Sequence, residues 1–467
     1  MAVQVVRSLR AVAAACAMLP FAATPGLGAG DAAPPAAACR ITHPVASVAS
    51  SGDLAPVAKP GGPVRTFGGA GNSSDLFRSM TATEDGGYLL AGGMNFALWL
   101  LKVDDDWTED WSRVYGPGTV WSVEPTDDGG FIAAGDTNLP GLSDQLWVQK
   151  LTAAGKIQFE LTLGGPMRDY GYSVQQTTDG GFLVAGETQS SGAGGYDAWL
   201  VRLSSKGQVI WQRTYGGVAD DNVRGVREAA DGGFVAVGYT YLNGGFGNLW
   251  LFKVDESGDV VWELTYGGND FFERGVDLRR TADGGFLVVG DWFAAAWILR
   301  VDSEGQPLWQ EFLDDPHAIT VVDSVEVTRD QGFLISGRTD VISDSVDSPN
   351  AWVAKITAKG KVKWQGALGF PFRFDRGYEA EELPDRSILV VGSTYSLGLG
   401  GDGLVWVLSR KGKSCGNLFS RVQLGKRAAQ AAPVASHAMV GDSPFIPNKK
   451  KSKSQRKPVQ GFVNCDV

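Results

Sequence analysis

The sequence predicts an all-β fold, a seven-bladed β-propeller of four-stranded blades, on three observations. A unit of about 50 residues recurs seven times along the chain. Five copies carry an Asp-Gly-Gly turn, a Trp follows the turn in all seven, and no copy contains a ten-residue stretch with the 3.6-residue period of a helix. The composition of 467 residues agrees, with 63 Gly and 15 Trp. Its 43% hydrophobic and 20% charged fractions are those of a folded chain, which excludes collagen and wholesale disorder. With His only at His43, His317 and His437, a multi-histidine metal centre or a His-based triad is not expected.

The repeat begins with its turn. It reads Asp85-Gly86-Gly87, Asp128-Gly129-Gly130, Asp179-Gly180-Gly181, Asp231-Gly232-Gly233 and Asp283-Gly284-Gly285. The last two copies degrade to Asp330-Gln331-Gly332 and Asp385-Arg386-Ser387. Such residues tolerate the positive φ of a tight hairpin. In the third copy the four strands are expected at Ser173 to Thr178, Phe182 to Glu187, Ala198 to Leu203 and Val209 to Tyr215, with Ser205-Lys206-Gly207-Gln208 turning between the last two. Four strands per unit at this period indicate propeller blades, whereas a β-helix has shorter coils.

Each unit has a first Trp (Trp99, Trp147, Trp199, Trp250, Trp297, Trp352, Trp406), and the first six have, about 12 residues on, a second aromatic (Trp111, Phe159, Trp211, Trp262, Trp309, Trp364), a position that falls on Cys415 in the seventh. The first alternates with aliphatics, as in Trp199, Val201 and Leu203, which puts it on one face of a strand. Large flat side chains recurring there fill the wedges between blades. Only Trp107, Trp121 and Trp292 fall outside the pattern. Val64 to Gly69 matches the end of a fourth strand yet precedes the first unit, so it is expected to close the seventh blade and remove an open edge. Residues 416–422 compete for that place.

The propeller is expected over residues 63–424, with three flanking segments. Residues 1–29 read as a secretory signal, with basic Arg7 and Arg10, an apolar stretch from Ala11 to Ala23, and small residues at Leu27-Gly28-Ala29. Residues 30–62 read as a flexible segment, and residues 425–467 as a basic disordered tail containing Lys449-Lys450-Lys451-Ser452-Lys453. Removing the +2 of residues 1–29 and the +6 of residues 425–467 from the total of −10 leaves −18 on residues 30–424. An acidic body argues against nucleic acid as its ligand, and the tail suits an anionic envelope surface. No later segment approaches a membrane helix, so the mature chain is expected to be secreted or periplasmic. After signal removal Cys39, Cys415 and Cys465 remain, enough for one disulfide and one thiol with all three pairings open.

The string Tyr-Gly-Gly, Asp-Gly-Gly-Phe, Trp-Leu-Val-Lys-Leu-Asp and a turn ending in Trp resembles a family of secreted bacterial and archaeal β-propeller repeat proteins. The match is clearest over residues 205–286 and extends over about 64–411. Lys253-Val254-Asp255-Glu256-Ser257-Gly258-Asp259-Val260-Val261-Trp262 also looks like the docking turn of quinoprotein-type propellers. The resemblance implies a propeller fold and an envelope location. Quinoprotein dehydrogenases have eight blades and cofactor and metal ligands without counterparts in this sequence, so no cofactor is expected. Some proteins with such repeats are labelled glycan hydrolases.

Function is expected on the face that carries the fourth-to-first and second-to-third strand connections, because variable loops on a rigid scaffold are where binding resides. Units five to seven have the least generic loops. Unit five offers Phe271, Phe272, Glu273, Arg274, Trp292 and Phe293; unit six Asp314, Asp315, His317 and Asp340; unit seven Phe370, Phe372, Arg373, Phe374, Asp375 and Arg376. Aromatic faces beside carboxylates and arginines suit a sugar, stacking on its C–H faces and bonding its hydroxyls. The expected ligand set is Phe271, Arg274, Trp292, Asp314, Asp315, His317, Asp340, Phe372, Arg373 and Arg376, in a non-catalytic module for an extracellular glycan or protein. The alternative is an endoglucanase-like enzyme using paired carboxylates among Asp314, Asp315, Asp340 and Asp375. No metal is expected: Asp340, Asp344 and Asp347 do not follow a calcium-loop spacing, and Asp104-Asp105-Asp106 aligns with a turn.

Overall fold

The computed structural model describes residues 64–68, 74–241, 246–268, 271–314, 319–340, 349–369, 373–397 and 401–414, and the backbone of 419–420, 425–427 and 434–435. The expected signal (1–29), the segment 30–62, Cys39, Cys415, Cys465 and the Lys449–Lys453 stretch lie outside the described residues.

The described residues form strands and no helix. After β1 (Val64–Phe67) come β2 (Asp75–Ala82), β3 (Tyr88–Met94), β4 (Ala97–Val103) and the long β5 (Glu109–Pro125). Then follow β6 (Phe131–Asn138), β7 (Asp144–Leu151), β8 (Ile157–Leu163), β9 (Asp169–Gln176), β10 (Phe182–Thr188), β11 (Asp197–Leu203) and β12 (Val209–Tyr215). The next eight are β13 (Asp221–Glu228), β14 (Phe234–Thr240), β15 (Asn248–Val254), β16 (Val260–Tyr266), β17 (Glu273–Arg280), β18 (Phe286–Trp292), β19 (Ala295–Val301) and β20 (Pro307–Asp314). Last are β21 (Thr320–Val327), β22 (Phe333–Thr339), β23 (Asn350–Ile356), β24 (Val362–Leu368), β25 (Asp375–Glu382), β26 (Ile388–Thr394) and β27 (Asp402–Leu408), then the short β28 (Phe419–Ser420), β29 (Gly425–Arg427) and β30 (Val434–Ala435).

Successive strands pair antiparallel, giving six sheets among the described residues. Five are built on four-strand groups: β9–β12, β13–β16, β17–β20, β21–β24, and β25–β27 completed by β1. The sixth runs from β2 to β8, and in it β5 changes partner: Glu109–Pro117 pairs with β4, and Gly118–Pro125 pairs with β6. First strands adjoin in a closed cycle, β2 to β5, β9, β13, β17, β21, β25 and back to β2. Apolar clusters sit between adjoining groups, and Trp99, Trp147, Trp297, Trp352 and Trp406 are among their largest fully buried side chains. The competition over the closing strand is resolved by pairing: Val64 to Phe67 lie opposite Trp406 to Gly403, while Phe419–Ser420 pairs with β24.

Two expectations need correction. Within the stretch read as a disordered tail, Gly425–Arg427 pairs with β20 and Val434–Ala435 with β16. An open fourth-strand edge presents unpaired N–H and C=O groups, and the returning chain satisfies them. The first strand of the third unit starts at Asp169 rather than Ser173, because it continues through a β-bulge at Tyr172. The first Gly of the turn takes the positive φ the hairpin needs, as at Gly180 (φ 79°). The Asp instead receives a cation from the third strand: Lys102–Asp85 (2.6 Å), Lys150–Asp128 (2.8 Å), Arg202–Asp179 (2.5 Å), Lys253–Asp231 (2.5 Å), Arg300–Asp283 and Lys355–Asp330 (2.8 Å). In the last unit Val407 stands at the cation's place opposite Leu389, and there the turn has lost its glycines.

In five units the second aromatic (Trp111, Phe159, Trp262, Trp309 and Trp364) meets the glycine of the next unit's third-to-fourth-strand turn. A Cβ on Gly207 (φ +74°) would lie 2.6 Å from the Phe159 ring, and one on Gly360 (φ +76°) 2.8 Å from Trp309. Glycine is therefore required twice over, by conformation and by closeness of approach.

Candidate functional site

The bulge found at Tyr172 recurs in every first strand. The bulged residues are Arg78, Trp121, Tyr172, Arg224, Val276, Asp323 and Tyr378. A bulge re-aims one side chain out of the alternation of its strand. Because the first strands form a closed cycle, the bulged residues line its axis. Five consecutive members stack edge to edge around that axis. The Arg78 guanidinium lies between the Trp121 and Tyr378 rings, 4.0 and 4.1 Å from their centroids. Trp121 packs edge-on to Tyr172 at 5.1 Å, and Arg224 covers the other side of Tyr172 at 3.8 Å. The rings are fixed from behind: Trp121 Nε1 donates to Asp136 Oδ1 (2.6 Å), and Tyr172 Oη donates to Glu187 Oε1 (2.6 Å).

Charge balance divides this channel in two. Toward the loop face, Arg376 Nε donates to Asp323 Oδ2 (2.6 Å) and Arg274 Nε to Asp291 Oδ2 (2.7 Å). Arg78 has no hydrogen-bond partner for its buried Nε, and Arg224 bonds only the neutral Asn222 (3.1 Å) among the described residues. Burial pulls the Arg78 pKa below its ordinary value. The Asp136 carboxyl behind Trp121 is pushed up to about 6, mainly by burial.

Toward the tight-turn face the channel is acidic. Arg279 Nη1 bonds Asp277 (2.8 Å) and Arg279 Nε bonds Glu326 (2.7 Å), while Arg227 sits 3.6 Å from Glu124 and 3.9 Å from Asp277. Glu379 accepts the Met80 N–H at 2.8 Å and lies 3.9 Å from Arg279. Five carboxylates, counting Glu381, share two arginines. Burial, reinforced by Glu124, pushes Glu379 up to about 8, and burial with Glu326 and Glu124 pushes Glu381 up to about 7. For Arg279, burial acts downward but is outweighed by Asp277, Glu326, Glu124 and Glu379, so its pKa is raised.

Of the sequence-derived ligand set, Arg274 and Arg376 come together at the mouth of this channel, on first strands rather than loops. Phe271 packs on Trp292 (5.8 Å) and Phe293 (4.9 Å) on the loop face. Trp292 also packs on Phe312 (5.1 Å), joining the cluster to the core. Arg373 is exposed. Asp315, His317, Phe370, Phe372, Asp344 and Asp347 lie outside the described residues, and Asp314 is described by its backbone, which pairs with Gly425. Of the carboxylates weighed as acid and base, Asp340 and Asp375 are the two whose side chains fall among the described residues. Asp375 is fully buried and accepts bonds from Thr394 Oγ1 and from Ser396 N and Oγ, anchoring its own loop. Asp169 at the matching position is held the same way by Thr188, Ser190 and Gly165 N. Asp340 is buried to 7% exposure just after β22, where its N–H donates to the Ile319 carbonyl (3.1 Å).

The loop face carries exposed aromatics around the channel mouth. Phe96 and Phe293 are 76% and 70% exposed, each in a tight second-to-third-strand turn with φ of 63° and 56°. A bulky residue in the left-handed region of such a turn, where Gly or Asn is favoured, is a marker of function. Connections on that face differ in length: β3 and β4 are joined by Asn95 and Phe96 alone, and β18 and β19 by Phe293 and Ala294. Sequence reasoning overlooked Arg78, Tyr172, Arg224, Glu379 and their neighbours because it searched the loops. The available signal was in the aligned first strands, where one position varies as Arg, Trp, Tyr, Arg, Val, Asp and Tyr.

No protein-family model and no curated protein matches the chain by sequence. Among solved structures, that of streptogramin B lyase aligns with a TM-score of 0.50 at 13% identity, over 74% of this chain and 97% of that one. The fold is a β-propeller. A Bacteroides caccae protein of unknown function aligns at 0.40 and 13% identity over 60% of this chain and 93% of its own. The extracellular domain of a one-component system from B. thetaiotaomicron aligns at 0.42 and 12% over 73% of this chain, with 41% of that chain covered. Among the described residues no helix is long and apolar enough to cross a membrane.

Proposed function

We propose that the chain is an exported, seven-bladed propeller that binds an extracellular glycan on its loop face, over the mouth of the axial channel, without transforming it. The blade count is supported by the cycle of first strands once β5 is divided at Pro117, where its partner changes. The observation that carries the binding role is the set of exposed aromatics, Phe96, Phe271 and Phe293 foremost, beside a channel lined by arginines and rings. Apolar platforms flanking charged donors suit the two kinds of surface a sugar presents. A non-catalytic role is supported by Asp375, whose oxygens are committed to its own loop. The basic tail, in this role, holds the module to an anionic envelope surface.

The test is a glycan array with the mature chain, followed by calorimetry on each hit. Binding that weakens about tenfold or more in Phe293→Ala and Phe271→Ala supports the proposal. Binding indifferent to both variants removes the loop face as the site, and turnover of a bound oligosaccharide removes the non-catalytic role.

A further inference from the structure

We infer that the upper half of the axial channel is an oxyanion subsite, in which Arg78 and Arg224 take the carboxylate or sulfate of an acidic sugar entering from the loop face. This inference rests on the glycan-binding role proposed above and narrows it to anionic glycans.

Four observations carry it. Cations in this channel that have a structural task are paired: Arg274 with Asp291, Arg376 with Asp323, Arg279 with Asp277 and Glu326. Arg78 and Arg224 are not paired with a carboxylate among the described residues, although both are half-buried and the Arg78 Nε is fully buried. The carboxylates nearest to Arg78 are committed elsewhere, Asp136 to Trp121 and Asp323 to Arg376. An enclosed charge without a counter-ion is costly, so a site that retains one is complete only with an anion.

The second observation is geometric. Rings cover both faces of the Arg78 guanidinium and one face of Arg224. Stacking uses the flat faces and leaves the in-plane N–H groups, the fork that meets a carboxylate or sulfate with two parallel hydrogen bonds. Third, the rings are tied by Asp136 and Glu187 on second strands, so the subsite is rigid before any ligand arrives. Fourth, the channel is polarised. Below the arginines lie Glu124, Asp277, Glu326, Glu379 and Glu381 with two arginines, an acidic floor that repels an anion and sets the depth to which it enters.

The experiment uses the mature chain and three simple probes, glucuronate, glucose 6-sulfate and glucose, at matched ionic strength, read by calorimetry and by thermal shift. The expected result is binding of glucuronate or glucose 6-sulfate with a rise in Tm, and none for glucose. The relative strength of the two acidic probes identifies the source of the oxyanion. Arg78→Met is expected to weaken binding at least about tenfold, Arg224→Met by a smaller factor, and Arg78→Lys to restore part of it. Arg78→Met is also expected to raise the Tm of the ligand-free protein, because it removes an unpaired enclosed charge. A purely structural Arg78 would give the opposite, a lower Tm with probe binding unchanged in Arg224→Met. Equal response to all three probes, or none, overturns the inference. If neutral array glycans still bind through Phe293 in that case, the glycan-binding role survives it. If the acidic probes bind and no array glycan does, the subsite stands and the glycan-binding role falls.

Discussion

Glu379 should make the protein lose stability as pH rises through neutrality. Its carboxyl is pushed up to about 8 in the folded state by burial and by Glu124, against an ordinary value of 4.5. Between those values the unfolded chain releases this proton and the folded chain keeps it. The contribution is therefore fully present below pH 4.5, is lost progressively as pH rises, and levels off above about 8. At about 1.4 kcal/mol per pKa unit the ceiling is near 5 kcal/mol, and coupling to the neighbouring acids brings the expected loss to about 1–3 kcal/mol. The groups that face Glu379 are Arg279 at 3.9 Å and, beyond it, Glu124, Glu326 and Asp277; Glu381, pushed up to about 7, acts in the same direction. Glu379→Gln retains an oxygen for the Met80 N–H, and Arg279 keeps Asp277 and Glu326. Urea unfolding followed by Trp fluorescence at pH 5, 7 and 9 should show the variant matching wild type at pH 5 and exceeding it at pH 9. A wild-type stability that is flat from pH 5 to 9, or a variant with an unchanged pH profile, refutes the assignment of a shared-proton cluster to the channel floor.

Other consequences follow from the packing. Gly207→Ala should cost more than Gly180→Ala in the same unfolding assay, by about 1–2 kcal/mol, because both have positive φ but only Gly207 would push a Cβ against Phe159. Arg202→Met should lower stability by about 1–2 kcal/mol, since the guanidinium bonds Asp179 and the carbonyls of Phe182 and Leu203. Deleting residues 1–68 removes β1 and opens the β27 edge, and should lower the Tm and produce oligomers in size-exclusion chromatography. A truncated chain that stays monomeric with an unchanged Tm would show that β1 does not close the ring.

The repeating shell was legible in the sequence because its residues answer to a local rule. Trp99 and its counterparts, the turn glycines and the closing strand at Val64 all follow from strand alternation, positive φ and the need to cover an edge. The partner of the turn Asp was not legible in the same way. Lys102 and Asp85 are brought together by the register of β4 on β3, which a single copy of the unit does not reveal. The candidate site was harder still. Arg78 and Tyr378 are 300 positions apart and meet because the ring closes, and the bulge that aims them is a backbone feature. Phe271, Trp292, Arg274 and Arg376 stand out in the sequence as departures from the repeat in one stretch of units, but the first two lie on the loop face and the last two on first strands, a distinction set by the fold.

Repetition and function are separated in this molecule by position along one strand. Shell residues contact the next copy of the same unit, so a residue that works once works in every copy, and the unit is free to repeat. Bulged residues meet their neighbours around an axis instead, where seven identical side chains would serve poorly: seven arginines would repel, and seven tyrosines would leave the lumen without charge contrast. The observed order breaks that symmetry twice. Three aromatic and two cationic residues fill the arc from Tyr378 to Arg224, while Val276 and Asp323 occupy the remainder. Asp323 is spent on Arg376, so the net positive charge is concentrated on one side of the lumen, over an acidic floor. A ligand in such a field has one favoured orientation, anionic end first and leaning toward the Arg78 side. In the proposed role its body then emerges among the exposed aromatics of the loop face, where Phe293 is a bulky residue at a turn position that favours Gly or Asn.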